Sequence, residues 1–167
     1  MAKKARPAKT NAQRYLDQRG LSYAVHQLDL GDGPVDALTV AAKLGVPAEQ
    51  VFKTLVCKAG PGQLCVAIVP GPAQLDLKRL AAAVGQKSCS LLPSAELKAQ
   101  VGYVHGGCSP FAMKQQLPTF LDSSAQAFST IYVSAGQIGL QLELDPRHIQ
   151  LACPAQLLPL CQESPHG

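Results

Sequence analysis

The stretch Val51-Phe52-Lys53-Thr54-Leu55-Val56-Cys57-Lys58, followed by Gly60-Pro61-Gly62-Gln63 and then Leu64-Cys65-Val66-Ala67-Ile68-Val69, decides the fold. Both runs are rich in β-branched and aliphatic residues. The Gly/Pro segment between them has turn chemistry, so the whole reads as a β-hairpin. Before it, Thr10 is placed to cap a helix that runs through Arg19, with Ala12, Tyr15 and Leu16 on one face and Gly20 as its stop. Ser22 to Leu28 alternates like a strand. Residues 29–38 read as a loop, and a second helix is expected from Thr39, its cap, to Gly45.

After the hairpin, Asp76 caps an amphipathic helix with Leu77, Leu80, Ala81 and Val84 at helical spacing, closed by Gly85. A short strand is expected near 87–92, then a helix capped by Ser94 and ending near Gly102. Gly102 to Met113 has no regular pattern. Thr119 to Asp122 reads as a short strand. Thr130–Ser134 and Gly139–Leu144 read as strands around the turn Ala135-Gly136-Gln137, and Asp145-Pro146 opens a last helix with Pro at its first position. Helices and strands are interleaved and hairpins are included. The expected class is α/β: one compact domain with a mixed, largely antiparallel, barrel-like sheet surrounded by helices. The expected organisation is a flexible basic tail over 1–9 and the domain over 10–162.

Composition supports one folded globular domain. Of 167 residues, 47% are apolar and 16% charged, a globular balance. Trp is absent and aromatics are 5%, so the core must be aliphatic. No apolar run approaches the roughly 20 residues that span a bilayer, and no apolar stretch follows the basic N-terminus as a secretory signal would require. A cytoplasmic location without membrane contact is expected. The net charge is +4, and Lys3, Lys4, Arg6 and Lys9 account for all of it, leaving 11 basic against 11 acidic residues elsewhere. Bulk charge therefore announces no nucleic-acid partner, although the tail could touch phosphates. The six cysteines form no CxxC pair and no zinc spacing with the four histidines, so free, mostly buried thiols and no metal or other cofactor are expected.

Two features carry possible chemistry. Lys53 interrupts an apolar strand. By itself such a lysine reads as a solvated edge, and in a pocket wall it would be a ligand-facing cation. Gly106-Gly107-Cys108-Ser109-Pro110 reads as a tight turn whose consecutive amides could form an anion or oxyanion site. The turn at Ser134–Gly136 is a weaker candidate for a pocket rim. There is no phosphate-binding Gly-rich loop, no dinucleotide fingerprint and no nucleophile elbow. Cys108 with His105 as its base is a minor alternative. His26 reads as structural, and Asp29, Asp32 and Asp36 lack the terminal glutamate of a calcium loop.

The ordered set of these segments resembles the YbaK family of bacterial aminoacyl-tRNA deacylases, related to the editing domain of prolyl-tRNA synthetases. The matching pieces are Ala42-Lys43-Leu44-Gly45-Val46, Val51–Val56, Gln74–Leu80, Gly102–Pro110, Thr130–Gly136 and Gly139–Leu144, which together span about residues 10–160. The resemblance implies a compact mixed α/β fold, no cofactor, and a pocket built on Lys53 as the hallmark catalytic residue. It also implies that Thr54, Gly106, Gly107, Ser109, Pro110, Ser134 and Gly136 contact substrate. In the family's best-known member the thiol of the mischarged cysteine is thought to attack its own ester, so no protein nucleophile is needed. The implied partner is an aminoacyl-tRNA, tRNA(Pro) first, with prolyl-tRNA synthetase as an associated enzyme. The implied activity is trans-editing hydrolysis of Cys-tRNA(Pro). This chain departs from cysteine-specific relatives at Leu28, Cys108, Gln137-Ile138 and Gln141. Two rivals follow: a deacylase for alanine or another small residue, and a module that holds an acylated tRNA end or a synthetase without turnover.

Overall fold

The structure, a computed structural model, describes residues 8–31 and 36–163. Residues 1–7 of the expected tail and part of the 29–38 loop lie outside the described residues. The strands are β1 (Ala24–Gln27), β2 (Phe52–Lys58), β3 (Leu64–Pro70), β4 (Ser90–Leu91), β5 (Thr119–Asp122), β6 (Ile131–Gln137), β7 (Leu140–Leu144) and β8 (Gln156–Leu158). The α-helices are α1 (Asn11–Gln18), α2 (Ala37–Leu44), α3 (Leu77–Ala83), α4 (Ser94–Val101) and α5 (Pro146–Ala152).

The strands form two sheets. One is three-stranded in the order β1-β7-β6, and the other is five-stranded in the order β4-β2-β3-β5-β8. The β2–β3 hairpin is antiparallel as expected, from Phe52 opposite Pro70 to Lys58 opposite Leu64. β3–β5 and β5–β8 are parallel, which makes the larger sheet mixed. The sheets do not close into a barrel. They meet at a parallel bridge between Val51 and Tyr132, reinforced by Gln50 Nε2 donating to Thr130 O at 2.8 Å.

Burial follows from this layering. Along β3, Val66 and Ile68 face a core shared with Ile131, Val133, Leu142 and Leu144 of the smaller sheet and with Leu16 of α1. Cys65, Ala67 and Val69 face the opposite side, beside Phe120 of the paired strand β5 and packed with Leu80 of α3. A strand buried on both faces reads as a continuous apolar run, and Leu64–Val69 is one. Outside the smaller sheet, α2 packs Val40 and Ala41 against Val51 and Tyr132.

Two expected caps are corrected. α2 starts earlier, because Asp36 and not Thr39 is its cap, and the carboxylate accepts from Thr39 N at 2.7 Å. An ionised cap at the positive end of the helix outcompetes a hydroxyl. α4 begins after Pro93 with no side-chain cap, so Ser94 is its first residue and not its cap. The Thr10 and Asp76 caps form as read, and Thr10 with Gln13 makes a full capping box. The strand β8 and the short 3-10 turns at Ala48–Gln50 and Ser123–Ala127 carry no pattern long enough to be read.

Gly71 is where α2 sits on the end of the hairpin. Its N–H donates to Val51 O at 2.7 Å. A Cβ at Gly71 would overlap the Cβ of Ala37 outright. Gly71→Ala is therefore expected to destabilise the fold by about 1–3 kcal/mol, as overpacking does. Urea unfolding would show this as a lower midpoint with an unchanged slope, and an unchanged midpoint would contradict it.

Candidate active site

The junction of the two sheets opens into a cavity of about 280 Å3. Its wall takes five consecutive residues, Val51 to Leu55, together with Gly71, Leu97, His105, Gly106, Cys108, Ser134, Gln141, and Asp36 and Ala37 from the start of α2. That volume lies at the low end of the range of about 300–1,000 Å3 usual for ligand pockets and leaves room for a small acyl group. Strand alternation separates Lys53 from Phe52 and Thr54. Yet all three line the cavity, because β2 starts at the cavity edge, between the bridge to β6 and the larger sheet.

Lys53 is half-buried. Its Nζ donates to Gly71 O at 3.0 Å and to Ala73 O at 2.9 Å. It makes no ion pair among the described residues. Burial holds its pKa below the ordinary lysine value, with the Cys161 thiol opposing that shift. An ammonium has three donors. Two are spent on carbonyls that cannot neutralise it, so a full charge and one N–H remain for whatever occupies the cavity.

The turn 106–110 is strapped from behind. Gly107 N–H donates to Val104 O at 3.0 Å, and Phe111 N–H donates to the fully buried Ser109 Oγ at 3.2 Å. Tyr103 Oη donates to Phe111 O at 2.5 Å, and Cys153 Sγ to Pro110 O at 3.3 Å. A Cβ on Gly107 would come within 3.2 Å of Ile138 N, and one on Gly136 within 2.8 Å of the Tyr103 ring. These glycines let the turn lie directly on the β6–β7 connection. There β6 is bulged between Ser134 and Gln137, and Ser134 Oγ accepts from Gly136 N at 3.1 Å.

Of the residues singled out from sequence, Lys53, Thr54, Gly106 and Ser134 therefore share the cavity wall. Gly107, Ser109, Pro110 and Gly136 form the layer behind it. The sequence reading did not place Asp36, Ala37, Gly71 or Leu97 at the site, and it singled out Gln141 only as a departure from cysteine-specific relatives. Asp36 and Ala37 are brought there only by the packing of α2 on the hairpin end, a contact with no local sequence signal. Gln141 could have been found from its polar side chain inside the apolar run Leu140–Leu144.

Cys108 lines the cavity, but burial pushes its thiol up to about 12. It makes no hydrogen bond to His105. A nucleophilic cysteine needs thiolate, which is scarce at that value. The six cysteines are free, four of them buried. No group of three or more His, Cys, Asp or Glu among the described residues is placed to hold a metal. On the outer face of the smaller sheet, His26 Nε2 lies 2.9 Å from Glu143 Oε1, and Thr130 Oγ1 donates to Glu143 Oε2 at 2.6 Å. His26 thus has a structural partner.

Alkylation by iodoacetamide at pH 8, followed by mass spectrometry, checks the thiol assignment. Cys89, half-exposed, is expected to be modified first, while Cys57, Cys65, Cys108 and Cys153 stay protected until the protein unfolds. Rapid labelling of Cys108 in the folded protein would contradict it.

Comparison with known proteins matches this arrangement to a family. Residues 35–151 match the aminoacyl-tRNA editing domain. The chain is 44% identical over 152 residues, 89% of this chain and 91% of the other, to EbsC of Enterococcus faecalis, which is named as a candidate Cys-tRNA(Pro)/Cys-tRNA(Cys) deacylase. It is 28% identical over 109 residues, 65% of this chain and 69% of the other, to the uncharacterized protein YwhH of Bacillus subtilis. A crystal structure of a candidate trans-editing enzyme for prolyl tRNA synthetase superposes with a TM-score of 0.84 at 22% identity. It covers 96% of this chain and 100% of that one, a likeness of fold. The family match over most of the chain and the near full-length relative together establish that the chain belongs to the aminoacyl-tRNA editing domain family, the YbaK-type deacylases that its motifs resemble.

Proposed function

We propose that this chain is a free-standing trans-editing deacylase that hydrolyses the ester of cysteine mischarged on tRNA(Pro). The observation that carries the reading is Lys53: a half-buried ammonium with no carboxylate partner among the described residues, held by the carbonyls of Gly71 and Ala73 at the wall of a cavity with room for a small acyl group. The name of its 44% identical relative supports the choice of substrate.

Each part of the site has a task. The acyl group enters the cavity against Leu97 and Cys108. The free N–H of Lys53 meets the ester carbonyl oxygen or the adjoining ribose and phosphate. The amides of Gly106 and Cys108 make no backbone hydrogen bond among the described residues, and in this reading they receive the charge that develops on the carbonyl oxygen. Thr54 and Ser134 add hydroxyls to the wall. Gly107, Ser109, Pro110 and Gly136 act one layer back, by fixing the turn. With Cys108 held as the thiol, the nucleophile comes from the substrate. The cysteinyl sulfur attacks its own carbonyl carbon, the C–S bond forms as the ester C–O bond breaks, and the ribose oxygen leaves with the thiol proton; the four-membered thiolactone so released is then opened by water, which breaks the C–S bond and gives free cysteine. The protein then supplies orientation and electrostatics, which suffice when the reacting atoms are already tethered.

The departures at Leu28, Cys108, Ile138 and Gln141 favour a second reading, removal of alanine or another small residue, in which water is the nucleophile. In both readings the enzyme works in the cytoplasm, where prolyl-tRNA synthetase generates the mischarged tRNA. No helix among the described residues is long and apolar enough to cross a membrane.

Lys53→Ala tests the reading. The fold should persist, because the ammonium contacts only two carbonyls, while turnover of Cys-tRNA(Pro) falls by roughly a hundredfold to a thousandfold. Lys53→Arg should also be poor, since a planar fork does not replace a compact charge. Full activity of a folded alanine variant would contradict the site and return the rival of a non-catalytic binding module.

The tail is the second test. Lys9 pairs with Asp17 at 2.6 Å on the exposed face of α1. The other three basic residues lie in the segment outside the described residues. Deleting residues 1–9 should weaken tRNA binding at low salt and flatten its salt dependence, leaving turnover at saturation nearly unchanged. Unchanged affinity at low salt would remove the tail from the interface.

A further inference from the structure

Among the described residues, two buried side-chain atoms have no hydrogen-bond partner, Thr54 Oγ1 and Gln141 Oε1, and both residues line the Lys53 cavity. A buried acceptor left unpaired is a net cost to folding, so two in one cavity point to a ligand that pairs them. Gln141 is only 5% exposed. It sits on β7, the central strand of the smaller sheet, directly opposite His26 on β1 and Ser134 on β6, so its backbone is fixed from both sides. Its neighbours on that face are occupied: Ser134 Oγ by Gly136 N–H, and His26 by Glu143.

We infer that Thr54 Oγ1 and Gln141 Oε1 seat the α-ammonium group of the substrate, an inference that rests on the deacylase reading and deepens it. An aminoacyl ester presents one cation, the α-ammonium, one bond from the carbon that bears the ester carbonyl. Lys53 repels the first and attracts the second. A carboxylate would hold an ammonium more strongly, but within this cavity it would also neutralise Lys53 and carry a desolvation cost. A neutral amide oxygen and a hydroxyl accept from the ammonium and leave the lysine charge intact. Asp36, the one carboxylate in the cavity lining among the described residues, is exposed at the start of α2 and leaves that division in place.

The consequence is selectivity by class. Esters with a free α-amino group are accepted. Esters whose nitrogen is acylated, as in a peptidyl or formylated tRNA, lose the charge and one or more donors and are rejected. The site thereby separates mischarged tRNA from tRNA already engaged in synthesis.

Calorimetric binding to the full chain tests this with 3′-deoxy-3′-(cysteinylamino)adenosine, whose amide resists hydrolysis, and with its analogue in which a hydroxyl replaces the ammonium. The wild type is expected to prefer the ammonium form by roughly tenfold to a hundredfold, the size of a hydrogen bond to a charged group. Gln141→Leu should remove most of that preference, Thr54→Val part of it, and Gln141→Glu should retain it. Gln141→Leu should melt no lower than the wild type, because an orphaned amide is replaced by an apolar group. Equal binding of the two analogues, binding of neither, or a full preference in Gln141→Leu would overturn the inference. Turnover does not enter the measurement. A chain that shows the preference yet leaves Cys-tRNA(Pro) intact would contradict the deacylase reading and leave the ammonium seat standing.

Discussion

A lysine ammonium that is half-buried and, among the described residues, bonded only to carbonyl oxygens is the constraint around which the structure is arranged. Burying a charge is costly unless polar groups answer it. Here the answer comes from Gly71 O and Ala73 O, at the point where the chain leaves β3 and turns toward α3. Carbonyl dipoles stabilise the cation without cancelling it. A carboxylate in their place would have produced an internal ion pair, and the cavity would have lost the field that makes it useful. Both carbonyls lie just beyond β3, at the hairpin end on which α2 packs.

The second requirement is close approach of backbones. Gly71 admits α2, Gly107 admits the β6–β7 connection, and Gly136 admits the ring of Tyr103. Each contact brings a segment to the cavity that strand pairing alone would not place there. The result is a cavity whose wall holds the lysine cation, part of a tight turn, and two residues whose buried side-chain oxygens have no hydrogen-bond partner. None of these groups is a strong acid, base or nucleophile. The cysteine in the wall is held as a thiol by its own burial. Such a site fits a reaction whose substrate brings its own reactive group, or one driven by orientation and charge stabilisation.

Much of the fold was legible because it is locally encoded. The β2–β3 hairpin, the Thr10 and Asp76 caps and the Pro146 start of α5 are short-range signals, and each appears where it was read. The misassigned caps share a cause: several polar residues stood near each helix start, and the chain used Asp36 in one case and none in the other. The site was legible in its residues more than in its geometry. Lys53, Thr54, Gly106 and Ser134 line the cavity, while Gly107, Ser109, Pro110 and Gly136 stand behind it, a distinction of a few ångströms that no spacing rule carries. Asp36 and Gln141 reach the cavity through long-range packing and the register of β7 against both its neighbours.

Whether this fold clears a mischarged amino acid from tRNA unaided is tested most directly by ester loss from a panel of tRNA(Pro) charged with Cys, Ala or Pro and incubated with the purified chain in chelator. Rapid, metal-independent loss of the ester of Cys-tRNA(Pro) is expected, with Pro-tRNA(Pro) left intact. No release of any ester above the uncatalysed rate, or release only of the correctly charged proline, would contradict it.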